Sequence, residues 1–224
     1  MPPRAALPQI FPPWANAVAR VALVLLIATP PGALALVTAL HFTPYITDQD
    51  LIPAQPVPFS HEHHVRELGI DCRYCHTSVE TSSFAGLPPT ETCMSCHSQI
   101  WTDSPMLEPV RTSMRESVLI RWNRVHDLPD YAYFNHSIHV NKGVGCSSCH
   151  GRVDLMPLMW KAEPLTMEWC LGCHRAPERH LRPQSEIFNM AWTPPKDQIA
   201  RGRELIKQNR IPVQRLSDCY TCHR

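Results

Sequence analysis

All ten cysteines of this chain, and five of its histidines, fall into one short unit, C-x-x-C-H, written five times. The units are Cys72-Arg-Tyr-Cys75-His76, Cys93-Met-Ser-Cys96-His97, Cys146-Ser-Ser-Cys149-His150, Cys170-Leu-Gly-Cys173-His174 and Cys219-Tyr-Thr-Cys222-His223. With 13 histidines in 224 residues, a histidine would follow all five pairs by chance on the order of once in a million. Two thiols at i and i+3 share one turn of helix. They can add across the two vinyl groups of one haem, and the next residue then offers its imidazole to the iron. Zinc knuckles and redox C-x-x-C pairs use the thiols, but neither requires a histidine in that place five times. The motifs therefore predict five covalently bound haem c groups. Cys72, Cys75, Cys93, Cys96, Cys146, Cys149, Cys170, Cys173, Cys219 and Cys222 would form the thioethers. His76, His97, His150, His174 and His223 would be the proximal ligands.

The remaining histidines are His41, His61, His63, His64, His126, His136, His139 and His180. Four of them form a repeat: Phe59-Ser-His61-Glu-His-His64-Val65 matches Phe134-Asn-His136-Ser-Ile-His139-Val140. Each F-x-H-x-x-H-V frame precedes one C-x-x-C-H, and a second follows, so the order is histidine pair, haem, haem, twice over. The fifth motif closes the series alone. Histidines at i and i+3 share a helical face but diverge slightly. One can ligate the haem that follows in sequence, while the other crosses to a neighbouring haem. His61, His64, His136 and His139 are thus expected as four distal metal ligands. The fifth is open between His126, His180, His63, His41 and a methionine such as Met114, with His126 the first choice. The choice matters because a Met/His iron sits at a higher potential than a bis-His iron.

Elements must now place these residues. The 23 prolines and 8 glycines predict a chain that bends often, with short helices between prolines. The expected fold is mostly irregular with short α-helices and little sheet, a multihaem cytochrome c domain whose flat apolar cofactors supply much of the core. The expected divisions are a cytoplasmic N-terminal segment over 1–17, a transmembrane anchor helix over 18–42, a linker over 43–58 and a pentahaem domain over 59–224. Within the last lie dihaem modules at 59–97 and 134–174 and a C-terminal haem at 219–223. Residues 21–40 carry no charge, and as a helix they span about 30 Å, enough for a hydrocarbon core. Pro30 and Pro31 in the middle predict a kink. Arg4 and Arg20 precede the segment, and Asp48 and Asp50 follow it. The positive-inside rule then puts the N-terminus in the cytoplasm and the haem domain on the periplasmic side of the cytoplasmic membrane. The rival for this segment is a cleaved signal peptide, but the apolar run is longer than a usual h-region. A formal net charge of +1, from 21 basic and 20 acidic residues, gives no footprint for nucleic acid.

The F-x-H-x-x-H…C-x-x-C-H arrangement resembles the class-three and seven-type small multihaem cytochromes. That resemblance implies His61 paired with His76 and His136 with His150, with His64 and His139 crossing to other haems. The segments LPDYAYFNHSIHVNKGVGCSSCHGRVDLMPLMW, LTMEWCLGCHRAPE and IPVQRLSDCYTCHR resemble the pentahaem cytochrome subunit of Alternative Complex III, over about residues 122–224. This implies an electron-transfer subunit of a membrane quinol-oxidising respiratory or photosynthetic complex, passing electrons to a periplasmic cytochrome c or a terminal oxidase. Its implied partners are an iron–sulfur protein, polytopic quinol-binding subunits and a monohaem cytochrome c, with no catalysis by this chain alone. The alternative is a stand-alone membrane-anchored multihaem quinol dehydrogenase cytochrome. A multihaem reductase is disfavoured: such enzymes often replace one motif histidine by lysine to open an iron, and no motif here does so.

Two further stretches carry packing expectations. The segment 194–211 is expected to hold a helix with Ile199, Leu205 and Ile206 buried and Arg201, Arg203, Lys207 and Arg210 outside. Met156, Met159, Met167, Trp160 and Trp169 are expected to pack rather than ligate.

Overall fold

The computed structural model describes residues 10–223; residues 1–9 and 224, and with them Arg4, lie outside the described residues. The chain divides into two units, Met1–Thr47 and Asp48–Arg224. In the first, α1 (Ala15–His41) is followed by the single turn α2 (Pro44–Thr47). At 27 residues, α1 is about 40 Å long, more than a hydrocarbon core requires. None of its residues is buried, and Val21, Leu25, Leu26, Ile27, Leu34 and Val37 all stand exposed. It is one helix long and apolar enough to cross a membrane. It runs from Ala15, against the expected 18–42, and continues through Pro30 and Pro31.

The second unit is a succession of short turns. After a π-helical turn (Glu62–Glu67) come α3 (Cys72–Cys75), α4 (Thr90–His97), α5 (Glu108–Glu116), α6 (His136–Asn141), α7 (Ser147–His150), α8 (Met167–Arg175), α9 (Gln198–Gln208) and α10 (Cys219–Cys222). Five 3₁₀ turns are interspersed among them. Among the described residues no strand forms; there are only isolated bridges, Gln49 with Lys161 and Val144 with Leu181. The expectation of short helices and little sheet holds, and the reason is local. Prolines occupy the first turns of 105–107 and of α5, where a missing N–H costs nothing. Ser117, at φ 54°, ends α5.

The unit boundary at Thr47/Asp48 divides the expected 43–58 linker. Residues 44–47 form α2, while 48–57 are bonded into the second unit. Asp50 N–H donates to the Lys161 carbonyl at 2.8 Å, Gln55 to Asn123 O at 2.8 Å and Asn123 Nδ2 to Ala54 O at 2.6 Å. Val57 is buried. A free linker has no such partners.

The side-chain core is small. Val79, Val140 and Ile187 form a cluster against which Ala85, Cys146 and Phe188 pack. Met156 is buried as expected, whereas Met167 is exposed. α9 keeps its basic residues outside but turns its seam differently from expectation: Gln198 and Gly202 are buried and Ile199 is exposed. Gln198 Nε2 donates to the carbonyls of Glu178 and Leu181. A Cβ at position 202 would collide with the Glu178 backbone, so only glycine lets α9 approach the turn Pro177–Arg179 this closely.

Candidate haem-binding sites

Each motif is built on one turn of backbone. The N–H of the motif histidine donates to the carbonyl of the first cysteine in the first, third and fifth motifs, at 2.9, 3.0 and 2.9 Å. This closes the turn that brings two thiols and one imidazole to the same side. Side-chain caps start some of the helical turns. Asp71 accepts from Arg73 N–H at 2.8 Å before α3, and Thr166 from Trp169 N–H at 3.3 Å before α8. Asn135 accepts from Ile138 N–H at 3.3 Å before α6; each satisfies a donor that the helix itself leaves unpaired.

The two F-x-H-x-x-H frames adopt the same ring arrangement on different backbones. Phe59 meets His61 edge-on (4.9 Å, 85°) and stacks on His64 (4.4 Å, 20°). Phe134 meets His136 edge-on (4.7 Å, 89°) and stacks on His139 (4.5 Å, 26°). The first frame opens a π-helical turn and the second an α-helix. The shared phenylalanine thus sets the rings in both.

From these frames the histidines reach the motif histidines in pairs. His64 lies 6.2 Å from His97, His136 lies 6.3 Å from His150, and His139 lies 6.1 Å from His174, centroid to centroid. His61 lies within electrostatic range of His76. Two imidazoles that held one metal ion between them at about 2 Å would have centroids roughly 6 Å apart, so these three pairs are spaced as residues that would hold a haem iron. His64 and His139 thus face the second motif histidine of their own module, a destination that spacing along the chain had left open.

Hydrogen bonds fix which nitrogen is available. Nδ1 of His64, His76, His136, His139 and His174 lies 2.8 Å from the backbone carbonyls of Ser60, Gly86, Ser83, Asn135 and Leu216 respectively. Nδ1 of His97 and His223 lies 3.2 and 3.0 Å from Ile100 O and Tyr131 O. A carbonyl only accepts, so Nδ1 carries the proton and Nε2 keeps its lone pair. This is the arrangement by which outer partners orient a metal-bound imidazole. Burial disfavours the charged form of four of the facing rings. Desolvation pushes His150 down to about 3, with His126 and His136 adding to it, and His61 down to about 4, with His76 adding to it. His64 and His139 are also lowered, by desolvation first.

The thiols point the same way. Burial pushes Cys146 and Cys173 up to about 11 and Cys149 up to about 12. A redox C-x-x-C pair needs the opposite, a lowered thiol pKa. Among the described residues no three His, Cys, Asp or Glu side chains converge to hold a metal ion. Facing imidazoles at the first four motifs, thiols kept neutral by burial at Cys146, Cys149 and Cys173, and a small side-chain core all suit bound haem.

The surplus histidines take other places. His63 bonds Glu67 at 2.7 Å and stacks on Trp101 at 5.9 Å. His126 packs edge-on against His150, centroids 4.3 Å apart. Its Nε2 is buried with no hydrogen-bond partner, and desolvation pushes it down to about 4. His126 therefore stands at the third motif, while the ring recorded beside His223 is that of Tyr131, at 6.0 Å. His180 is half-buried, Met114 is exposed on α5, and His41 ends α1 against Phe42.

One clamp was not legible in the sequence. Arg182, 3% exposed, lies over the Trp192 ring at 4.4 Å. It donates to Ser147 and Ser148 Oγ at 3.2 and 3.0 Å, the two residues between the cysteines of the third motif. No local signal in the sequence joins Arg182 to a loop 34 residues upstream.

Repeated C-x-x-C-H turns with facing imidazoles, and no strand among the described residues, are what a multihaem cytochrome c domain requires. Residues 132–224 match the family described as cytochrome c7 and related cytochrome c, which implies covalently bound haem c in that region. The chain is also 36% identical over 97 residues to the multihaem cytochrome c subunit of the menaquinone reductase of Nitratidesulfovibrio vulgaris strain Hildenborough. The match covers 43% of this chain and 45% of that relative, so it spans less than half of either.

Proposed function

We propose that this chain is the electron-transfer subunit of a quinone-linked membrane complex and carries five covalent haem c groups, one at each motif. The observation that carries the reading is the set of facing imidazoles, six of the eight with Nδ1 tied to a backbone carbonyl. His61 with His76, His64 with His97, His136 with His150 and His139 with His174 would be axial pairs for four irons. Haem supplies one-electron chemistry when bound. The protein orients the imidazoles through their Nδ1–carbonyl bonds and brings the motifs together. α1 would anchor the domain in the cytoplasmic membrane, with the motifs on the periplasmic side.

The resemblance over residues 122–224 to the Alternative Complex III subunit supports quinol oxidation, with electrons passed to a periplasmic cytochrome c or terminal oxidase. The partners would be an iron–sulfur protein, polytopic quinol-binding subunits and a monohaem cytochrome c. The likeness to a menaquinone reductase subunit supports the same quinone linkage.

The test is the membrane-purified protein. A pyridine haemochrome assay should count five haems per chain, with predominantly low-spin spectra, and the copurifying complex should oxidise a quinol analogue. Fewer than four low-spin haems would defeat the ligand assignment. Quinol oxidation by the chain without polytopic partners would replace the complex by a stand-alone quinol dehydrogenase.

A further inference from the structure

We propose that the five motif sites stand in single file in the order second, first, third, fourth, fifth, so that electrons crossing the chain pass between the second and fifth sites. This rests on the electron-transfer reading above and goes beyond it, because the order along the chain is first to fifth.

Each neighbour relation has its own contact. The first and second motifs touch directly: the hydroxyls of Tyr74 and Ser95, both inside their C-x-x-C units, share a hydrogen bond of 3.1 Å. The first joins the third, not through the second. Val79 and Ala85, just beyond the first motif, share a core cluster with Cys146 of the third. Ser83 O accepts from both N–H and Nδ1–H of His136, at 3.1 and 2.8 Å, and His136 faces His150. The third and fourth share α6, whose His136 and His139 face His150 and His174. The fourth joins the fifth where His174 Nδ1–H donates to Leu216 O at 2.8 Å, shortly before Cys219. Tyr133 N–H donates to Cys222 O at 2.7 Å, which ties the fifth site to the strand of chain leading into Phe134 and His139.

Exposure supplies a second, independent observation. Of the ten cysteines, Cys96 and Cys219 are exposed and the other eight are partly covered. They belong to the second and fifth motifs, the two that the contacts place at the ends.

The test compares two variants of the full chain in detergent: Cys72→Ala/Cys75→Ala, lacking the first haem, and Cys93→Ala/Cys96→Ala, lacking the second. Haems in contact feel each other's charge, so removal of one shifts the redox titration of its neighbours. The proposed file predicts that loss of the first haem shifts two remaining haems and loss of the second shifts one. After rapid mixing with a reductant, the first variant should also show one haem equilibrating in a separate slow phase. A file in sequence order gives the reverse count, two for the second and one for the first, and would overturn the proposal. If a variant does not assemble, iron–iron distances in the unmodified complex decide: the second and fifth irons should be the farthest pair. A haem count below five, by contrast, would overturn the functional reading and leave no file to order.

Discussion

Phe134 lies stacked on His139, their ring centroids 4.5 Å apart and their planes 26° apart, and Phe59 lies on His64 in the same way. The contact leaves His139 little rotational freedom, since its Nδ1 is also bonded to Asn135 O. Replacing Phe134 by leucine removes the stacking, worth about 1 kcal/mol. Because Phe134 also meets His136 edge-on, the expected result is a lowered melting temperature and changed low-spin EPR signals from the two haems that His136 and His139 would serve. The other haems should keep their signals.

His139→Ala should convert one haem to a high-spin or water-ligated state, visible in magnetic circular dichroism. His63→Ala should leave the low-spin intensity unchanged, because His63 is occupied by Glu67 and Trp101. The pair separates a ligand from a bystander of the same residue type in neighbouring frames. Equal loss of low-spin intensity in both variants would overturn the assignment.

Arg182 places a buried positive charge beside the third motif. A cation near an iron favours the reduced, less positive state. Arg182→Gln should therefore lower the reduction potential of one haem, read by spectroelectrochemistry, and leave the haem count unchanged.

His126 gives a pH dependence with a definite sign. Its folded pKa, about 4, lies below the ordinary 6.5, so folding favours the neutral ring. The stability it contributes is whole above pH 6.5 and is lost as pH falls from there towards 4, by up to roughly 3 kcal/mol. In His126→Gln, which does not titrate, denaturant stability should fall less steeply between pH 6.5 and 4 than in the unmodified protein. Parallel slopes would show that His126 is not held neutral by the fold.

Gly202→Ala should be costly for a substitution that normally favours helix. The added Cβ meets the Glu178 backbone, and overpacking of this kind costs about 1–3 kcal/mol. A thermal melt should show the loss. Leu205→Ala, on a half-buried part of the same helix, involves no such collision.

The sequence by itself determined the chemistry. Thioether formation and proximal ligation depend on residues within five positions of one another, and a single helical turn fixes their geometry. The F-x-H-x-x-H repeat was legible for the same reason, as was the sheet-free fold, because prolines act on the backbone at their own positions. α1 declared itself through its uninterrupted apolar run.

Tertiary structure decided what depends on distance across the chain. The destinations of His64 and His139, the placement of His126 at His150 rather than beside His223, and the clamp of Arg182 on Ser147 and Ser148 all join segments far apart in sequence. So does the meeting of the first motif with the third, through Ser83 and His136. Local propensity fixes turns within a few residues, but the choice among distant partners is made by burial and by the need to satisfy each buried imidazole. Those energies exist only once the chain has closed around them.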